Sequence, residues 1–150
     1  IEVLHDRRRP RTTANIDHIA VAANGVWVID AKRYTGRIGR GTRGGFFSSR
    51  GVLEIAGRDR SNLLDGVAKQ IAAVAAALVE APCAGVPVHG SLCFVDGEWG
   101  VFQRRPFSLD GVLITWPKAL RERLSEPGDI DAKRRQQVLE ALADALPPAS

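Results

Sequence analysis

The chain contains no methionine and only two cysteines, Cys83 and Cys93, in 150 residues. Two cysteines build no disulfide framework, so the fold must rest on an apolar core, and a reducing, cytoplasmic compartment is the expectation. Long apolar runs are missing too. The longest, Ile71 to Val79, falls far short of the roughly 20 residues that a bilayer-spanning helix needs. No charged-then-apolar leader opens the chain, so neither a secreted nor a membrane class is read from it. With no methionine, and with Ile1 placed in what reads as mid-domain, an upstream segment is expected to precede the first residue.

What is present is an ordinary globular composition, 45% apolar and 25% charged, long enough for a real core and of single-domain length. The net charge is +4 with a pI of about 9.6, and its distribution matters more than its size. Residues 32–60 carry eight basic side chains (Lys32, Arg33, Arg37, Arg40, Arg43, Arg50, Arg58, Arg60) against Glu54 and Asp59, a block of 8 − 2 = +6. Residues 117–146 carry six basic and six acidic side chains and are neutral. A local positive field favours a polyanion; the alternative is a solvated basic face.

The pattern of apolar and turn residues predicts an alternation of strands and helices. Glu2–His5 reads as a short strand before a basic turn, RRRPR. Ile16–Ala22 and Val26–Ala31 are rich in β-branched residues and are separated by Ala23-Asn24-Gly25, a strong hairpin signal. The stretch GRIGRGTRGGFFSSRG (36–51) holds six glycines and reads as a flexible loop or a loose hairpin. Val52–Ala56 reads as a strand. A helix capped by Ser61 or Asn62 is expected to run to about Glu80, with Leu63, Leu64, Val67, Ile71, Val74 and Leu78 at helical spacing. Val88–Val95 is a predicted strand, Asp96-Gly97 a turn and Gly100–Gln103 its partner. Val112–Trp116 is a further strand, Pro117–Leu124 a short helix, and Asp131–Leu146 a last helix. Its Val138, Leu139, Leu142 and Leu146 stripe is a core face or a surface through which two copies could pair.

One pentapeptide occurs twice: IDAKR at 29–33 and again at 130–134. An acid two residues before a lysine is the minimal signature of a large class of metal-dependent nucleases, but both copies cannot be that site. On a strand, residues i and i+2 point to the same side, so Asp30 and Lys32 project together. On a helix the same spacing turns through roughly 200°, so Asp131 and Lys133 diverge. Asp131 follows Pro-Gly and opens a helix, where a carboxylate suits the macrodipole. The first copy is the chemical candidate. Asp17, which begins the strand pairing with it through the hairpin, can lie near Asp30. Two carboxylates and a lysine at a strand end suit Mg2+, which takes oxygen ligands, water and a substrate phosphate. The alternative is an ordinary strand-end ion pair.

The run NIDHIAVAANGVWVIDAKRYTGRI (15–38) resembles the NERD, or nuclease-related domain, family of the PD-(D/E)xK, restriction-endonuclease-like superfamily. The similarity continues through GRDRSNLLDGVAKQ (57–70) and GSLCFVDG (90–97), and so covers most of the chain. The resemblance implies an α/β fold: a restriction-endonuclease-like core with a central mixed sheet flanked by helices, and C-terminal helices beyond it. It implies metal-binding carboxylates at Asp17 and Asp30, a catalytic lysine at Lys32, and a glutamine at Gln70 facing the site from the helix after the sheet. It adds the Ala31 carbonyl as a further ligand. Gln70 also flanks the Val67–Ile71–Val74 stripe, where a polar side chain needs a partner. The superfamily commonly adds a glutamate from a helix before the first strand. Here Glu2 is the only nearby acid and is poorly placed, so the expectation is a single domain over 1–150 that lacks this helix.

Other signals carry less. Gly39-Arg40-Gly41-Thr42-Arg43-Gly44 fits G-x-G-x-x-G, but Phe46-Phe47-Ser48-Ser49-Arg50-Gly51 follows and no helix starts there, so no nucleotide cofactor is expected. Arg33, Arg37, Arg40 and Arg43 suit contact with a DNA backbone instead. Cys83, His89 and Cys93 match no common zinc spacing. His18 should face away from Asp17, and Ser91 has no nucleophile-elbow context. The expectation is therefore cleavage of DNA phosphodiesters with Mg2+, for which Mn2+ could substitute. Its rivals are a nuclease-fold module that binds nucleic acid without turnover and a protein-interaction domain that uses the last helix.

Overall fold

Three strands open the chain as an antiparallel meander: Glu2–Arg8 (β1), Asn15–Ala22 (β2) and Gly25–Lys32 (β3). The computed structural model describes residues 1–44, 50–80, 82–100 and 105–149, without the side chains of residues 43 and 50. The turn between β2 and β3 falls at Ala23-Asn24. Gly25 closes it at φ 139°, where a Cβ would meet the Pro87 carbonyl and the His89 ring, so only glycine fits. The first strand runs on to Arg8, because Arg7 and Arg8 pair with Ile16 and Asn15 where a basic turn was expected.

The glycine-rich stretch forms a hairpin. Arg37–Arg43 (β4) pairs antiparallel with Arg50–Ile55 (β5), and Arg58–Asp59 (β6) folds back onto β5. Residues 45–49 lie outside the described residues. Helix Asn62–Ala77 (α1) begins after Ser61, but the Ser61 hydroxyl does not cap it. It accepts from the Leu53 N–H at 3.1 Å and ties the helix start to β5 instead. The helix ends at Ala77 rather than near Glu80.

Val88–Phe94 (β7) is followed by Glu98–Trp99 (β8), which pairs with β4 and not with β7. The expected partner strand Gly100–Gln103 falls mainly on residues 101–103, which lie outside the described residues. The physical reason for the β8 pairing is the sheet order. After Phe107–Leu109 (β9), strand Val112–Thr115 (β10) runs parallel to β7 on one side while β3 runs parallel to it on the other, so neither edge of β7 is open. Helices Pro117–Leu124 (α2) and Ala132–Ala145 (α3) complete the fold.

The result is a six-stranded mixed sheet, β1-β2-β3-β7-β10-β9, with a four-stranded sheet, β6-β5-β4-β8, beside it. One face buries Ile19, Val21, Val26 and Val28 under Val74 of α1, Leu78 just past its end, and Val138 and Leu142 of α3. The other face buries Trp27, Ile29 and Cys93 under Leu120 and Leu124 of α2. The smaller sheet packs Ile38, Leu53 and Ile55 against Leu64, Val67, Leu92 and Phe94. This is a restriction-endonuclease-like α/β architecture, a central mixed sheet with helices on both faces. Val138, Leu142 and Leu146 are fully buried in the chain's own core and Leu139 packs against it partly buried, so the stripe on the last helix packs internally. Among the described residues no helix is long and apolar enough to cross a membrane.

Candidate active site

Strand alternation builds the site from β3. Val26 and Val28 point into the core beneath α1, and Asp30 and Lys32 continue the same line toward the strand end. At Asp30 the helix above presents Gln70 in place of an apolar side chain. The Gln70 amide Nε2 donates to Asp30 Oδ2 at 3.3 Å, and Lys32 Nζ stands 3.1 Å from Asp30 Oδ1. The β2–β3 register ends at His18↔Ile29, and one further step sets Asp17 opposite Asp30. Asp17 Oδ2 accepts from the Ala31 N–H at 3.1 Å. The N–H and C=O of one strand residue share a side, so the Ala31 carbonyl faces the same way. Asp17, Asp30, Ala31, Lys32 and Gln70 therefore come together as expected.

Asp30 is 5% exposed and Gln70 8%. Burial raises the pKa of Asp30, and the Asp17 charge raises it further. The hydrogen bond and charge of Lys32, with the Gln70 amide, pull the other way and only partly offset the burial. Gln70 Oε1 is buried with no hydrogen-bond partner among the described residues. A buried amide oxygen without a donor is costly, and here it sits on the residue that grips Asp30.

The available donors are two carboxylates, the Ala31 carbonyl and the Gln70 amide oxygen. All are hard oxygen donors, and they fit a cation that takes one or two carboxylates and keeps its water, such as Mg2+. Among the described residues no three His, Cys, Asp or Glu side chains form a metal-binding group. Glu2 pairs with Val21, at the far end of β2 from Asp17, and contributes nothing.

The arginines are spread more widely. Arg33 is exposed and ion-paired with Asp96. Arg37 and Arg40 are exposed on β4 and, three residues apart, project from opposite faces of the ribbon; the Arg40 guanidinium lies over Gly51. Arg43 ends β4, and its side chain is outside the description. The G-x-G-x-x-G run lies along β4, with no helix starting in it.

The second IDAKR is a helix start. Asp131 is the N-cap of α3, and its Oδ1 accepts from the Arg134 N–H at 2.8 Å. Arg134 in turn donates to the Ala84 carbonyl at 2.9 Å. His18 faces away from Asp17 and meets His5, with Nδ1 atoms 2.7 Å apart. Cys83 and Cys93 are free, buried and on opposite faces of the sheet, and His89 stacks on Trp27, so they form no ligand set. Ser91 is buried and donates to the Val28 carbonyl at 3.3 Å. Sequence reasoning missed Asp96, which holds Arg33 and was read only as a turn residue. It also missed the meeting of Trp99 and Trp116, whose ring centroids are 4.8 Å apart.

Fold and site together define a restriction-endonuclease-like α/β protein with an acid-x-lysine pair at a strand end, a second carboxylate across from it and a glutamine above. The family profile of NERD, the nuclease-related domain, matches residues 1–95, more than half of the chain, and the chain belongs to that family. The matched span includes Asp17, Asp30, Lys32 and Gln70. No curated protein and no solved structure matches the chain.

Proposed function

We propose that this domain hydrolyses DNA phosphodiester bonds with Mg2+ at the end of β3. The observation that carries the reading is the buried Asp30, held at once by Lys32 and by a glutamine whose other amide atom has no partner among the described residues. Asp17 and Asp30 would hold the cation, with the Ala31 carbonyl beside them. When bound, the cation would polarise the scissile phosphate and acidify a water. Lys32 stands at the strand end, where its side chain offsets negative charge growing on the phosphate oxygens. Gln70 fixes Asp30 through its NH2 and offers Oε1 to a water proton. Arg37, Arg40 and Arg43 serve the DNA backbone as positioning contacts, without sequence readout, and Arg33 joins them with its charge shared with Asp96.

The second reading is a nuclease-fold module that binds DNA without cutting it. It is favoured by the absence of a third carboxylate at the site among the described residues. Cleavage of plasmid and single-stranded DNA, titrated with Mg2+ and Mn2+, separates the two. The nuclease reading expects metal-dependent product, a loss of roughly 100-fold or more with Asp30→Ala, and retention with Asp131→Ala. Binding without product from the parent under every condition establishes the module instead.

A further inference from the structure

We propose that the aromatic pocket beside Lys32 receives an unpaired nucleobase, so that the substrate of this site is DNA with single-stranded character. The inference rests on the reading of the β3 site as a phosphodiesterase.

Strands β3, β7 and β10 are mutually parallel, so their C-terminal ends lie together. In open α/β sheets ligands gather at those ends. Asp30 and Lys32 sit at the end of β3, Phe94 ends β7 as the register partner of Lys32, and Trp116 follows the end of β10. Strand spacing of roughly 4.8 Å puts the pocket one to two strand widths from Lys32. Neighbouring nucleotides of one strand can therefore occupy site and pocket together.

The pocket is a cavity of about 250 Å³ lined by Phe94, Asp96, Gly97, Trp99, Trp116 and Pro117. It is smaller than the roughly 300 Å³ at which drug-sized pockets begin, and it suits a flat group the size of one base. Trp99 meets Trp116 at 4.8 Å between centroids with the planes tilted by 60°, and meets Phe94 edge-on at 6.2 Å. Both tryptophans are half-buried and line the cavity. An apolar aromatic pair that lines a cavity beside a basic block is the usual construction for single-strand binding, with aromatic faces for bases and cations for the backbone.

Charge favours the same occupant. Asp96, the acid in the lining, is neutralised by Arg33, whose guanidinium reaches it from just past β3. Trp99 lies on β8 in register with Ile38 of β4, and its neighbour Glu98 is in register with Arg37. Lys118 stands next to Pro117. The pocket thus joins the strand end that bears Lys32 to the ribbon that bears the arginines. An uncharged small molecule would gain nothing from that placement, whereas a nucleotide strand uses both parts.

The test is fluorescence anisotropy of a labelled thymidine oligonucleotide and of a blunt duplex, in EDTA, with the full chain. Trp99→Ala and Trp116→Ala should weaken single-strand binding by roughly 5- to 150-fold each, the worth of one stacked base, and duplex binding much less. Trp99→Phe and Trp116→Phe should retain most of the affinity, which separates lost stacking from lost folding. In the unmodified protein, tryptophan emission should quench with the same midpoint as the anisotropy. Single-strand binding unchanged in folded alanine variants, equal losses on duplex, or no quenching would each overturn the pocket. Because these readouts need no metal, they decide it independently of cleavage. Normal Mg2+-dependent cutting by variants with unchanged binding would sink the pocket and leave the nuclease reading standing.

Discussion

Burial sets the character of Asp30 before any metal arrives. Its folded pKa lies above the ordinary carboxylate value, chiefly through desolvation. The folded state therefore holds that proton more tightly than the unfolded chain does. The cost to folding is absent below the unfolded pKa of about 4 and grows as pH rises through the folded value. In metal-free buffer Asp30→Asn should melt above the parent near neutrality, with the gain shrinking as pH falls toward the carboxylate range. A pH-independent difference in Tm would show that burial does not strain Asp30. This residue scale was the most legible in sequence. Period-two alternation put Asp30 and Lys32 on one side, and the hairpin put Asp17 across from them. The orphaned Gln70 oxygen was not legible, because it depends on how far α1 stands above the sheet.

That distance is fixed at one glycine. A Cβ on Gly90 of β7 would meet Ile71 Cδ1 at 2.4 Å and Val67 Cγ1 at 2.7 Å, the residues that flank Gln70 on α1. Gly90→Val should push the helix outward, cost about 1–3 kcal/mol in chemical denaturation, and lower cleavage more than the loss of folded protein explains. Activity falling only in step with stability would detach Gln70 from the chemistry. Asp131→Ala should cost about 1 kcal/mol through the lost cap and leave cleavage per folded molecule intact. Most helices and strands were readable from apolar spacing and turn residues. The partner of β8 was not, since Glu98–Trp99 is too short to carry a pattern and its pairing with β4 is decided by the closed edges of β7. Strands β6 and β9, two and three residues long, were missed for the same reason.

Over the whole molecule, charge is segregated. The +6 block of residues 32–60 runs from the end of β3 through the small sheet, while the neutral block holds α2 and α3. DNA binding should therefore weaken steeply with salt, and Arg37→Ala should lower the log–log slope by about one contact. Arg134→Ala should leave the slope unchanged, since that guanidinium is engaged with the Ala84 carbonyl. Equal slopes for the parent and Arg37→Ala would remove the ribbon from the interface. The charge block was visible in the sequence. Its division between two faces of β4 needed the fold.

On the proposed function, the first IDAKR does chemistry and does not merely bind. Lys32→Ala tests it most directly, with DNA affinity in EDTA and product formation in Mg2+ measured on the same preparations. The variant should bind DNA within a few-fold of the parent and form no detectable product, while the parent cuts only with the metal. A variant that cuts as well as the parent, or a parent that binds but never cuts, would contradict it.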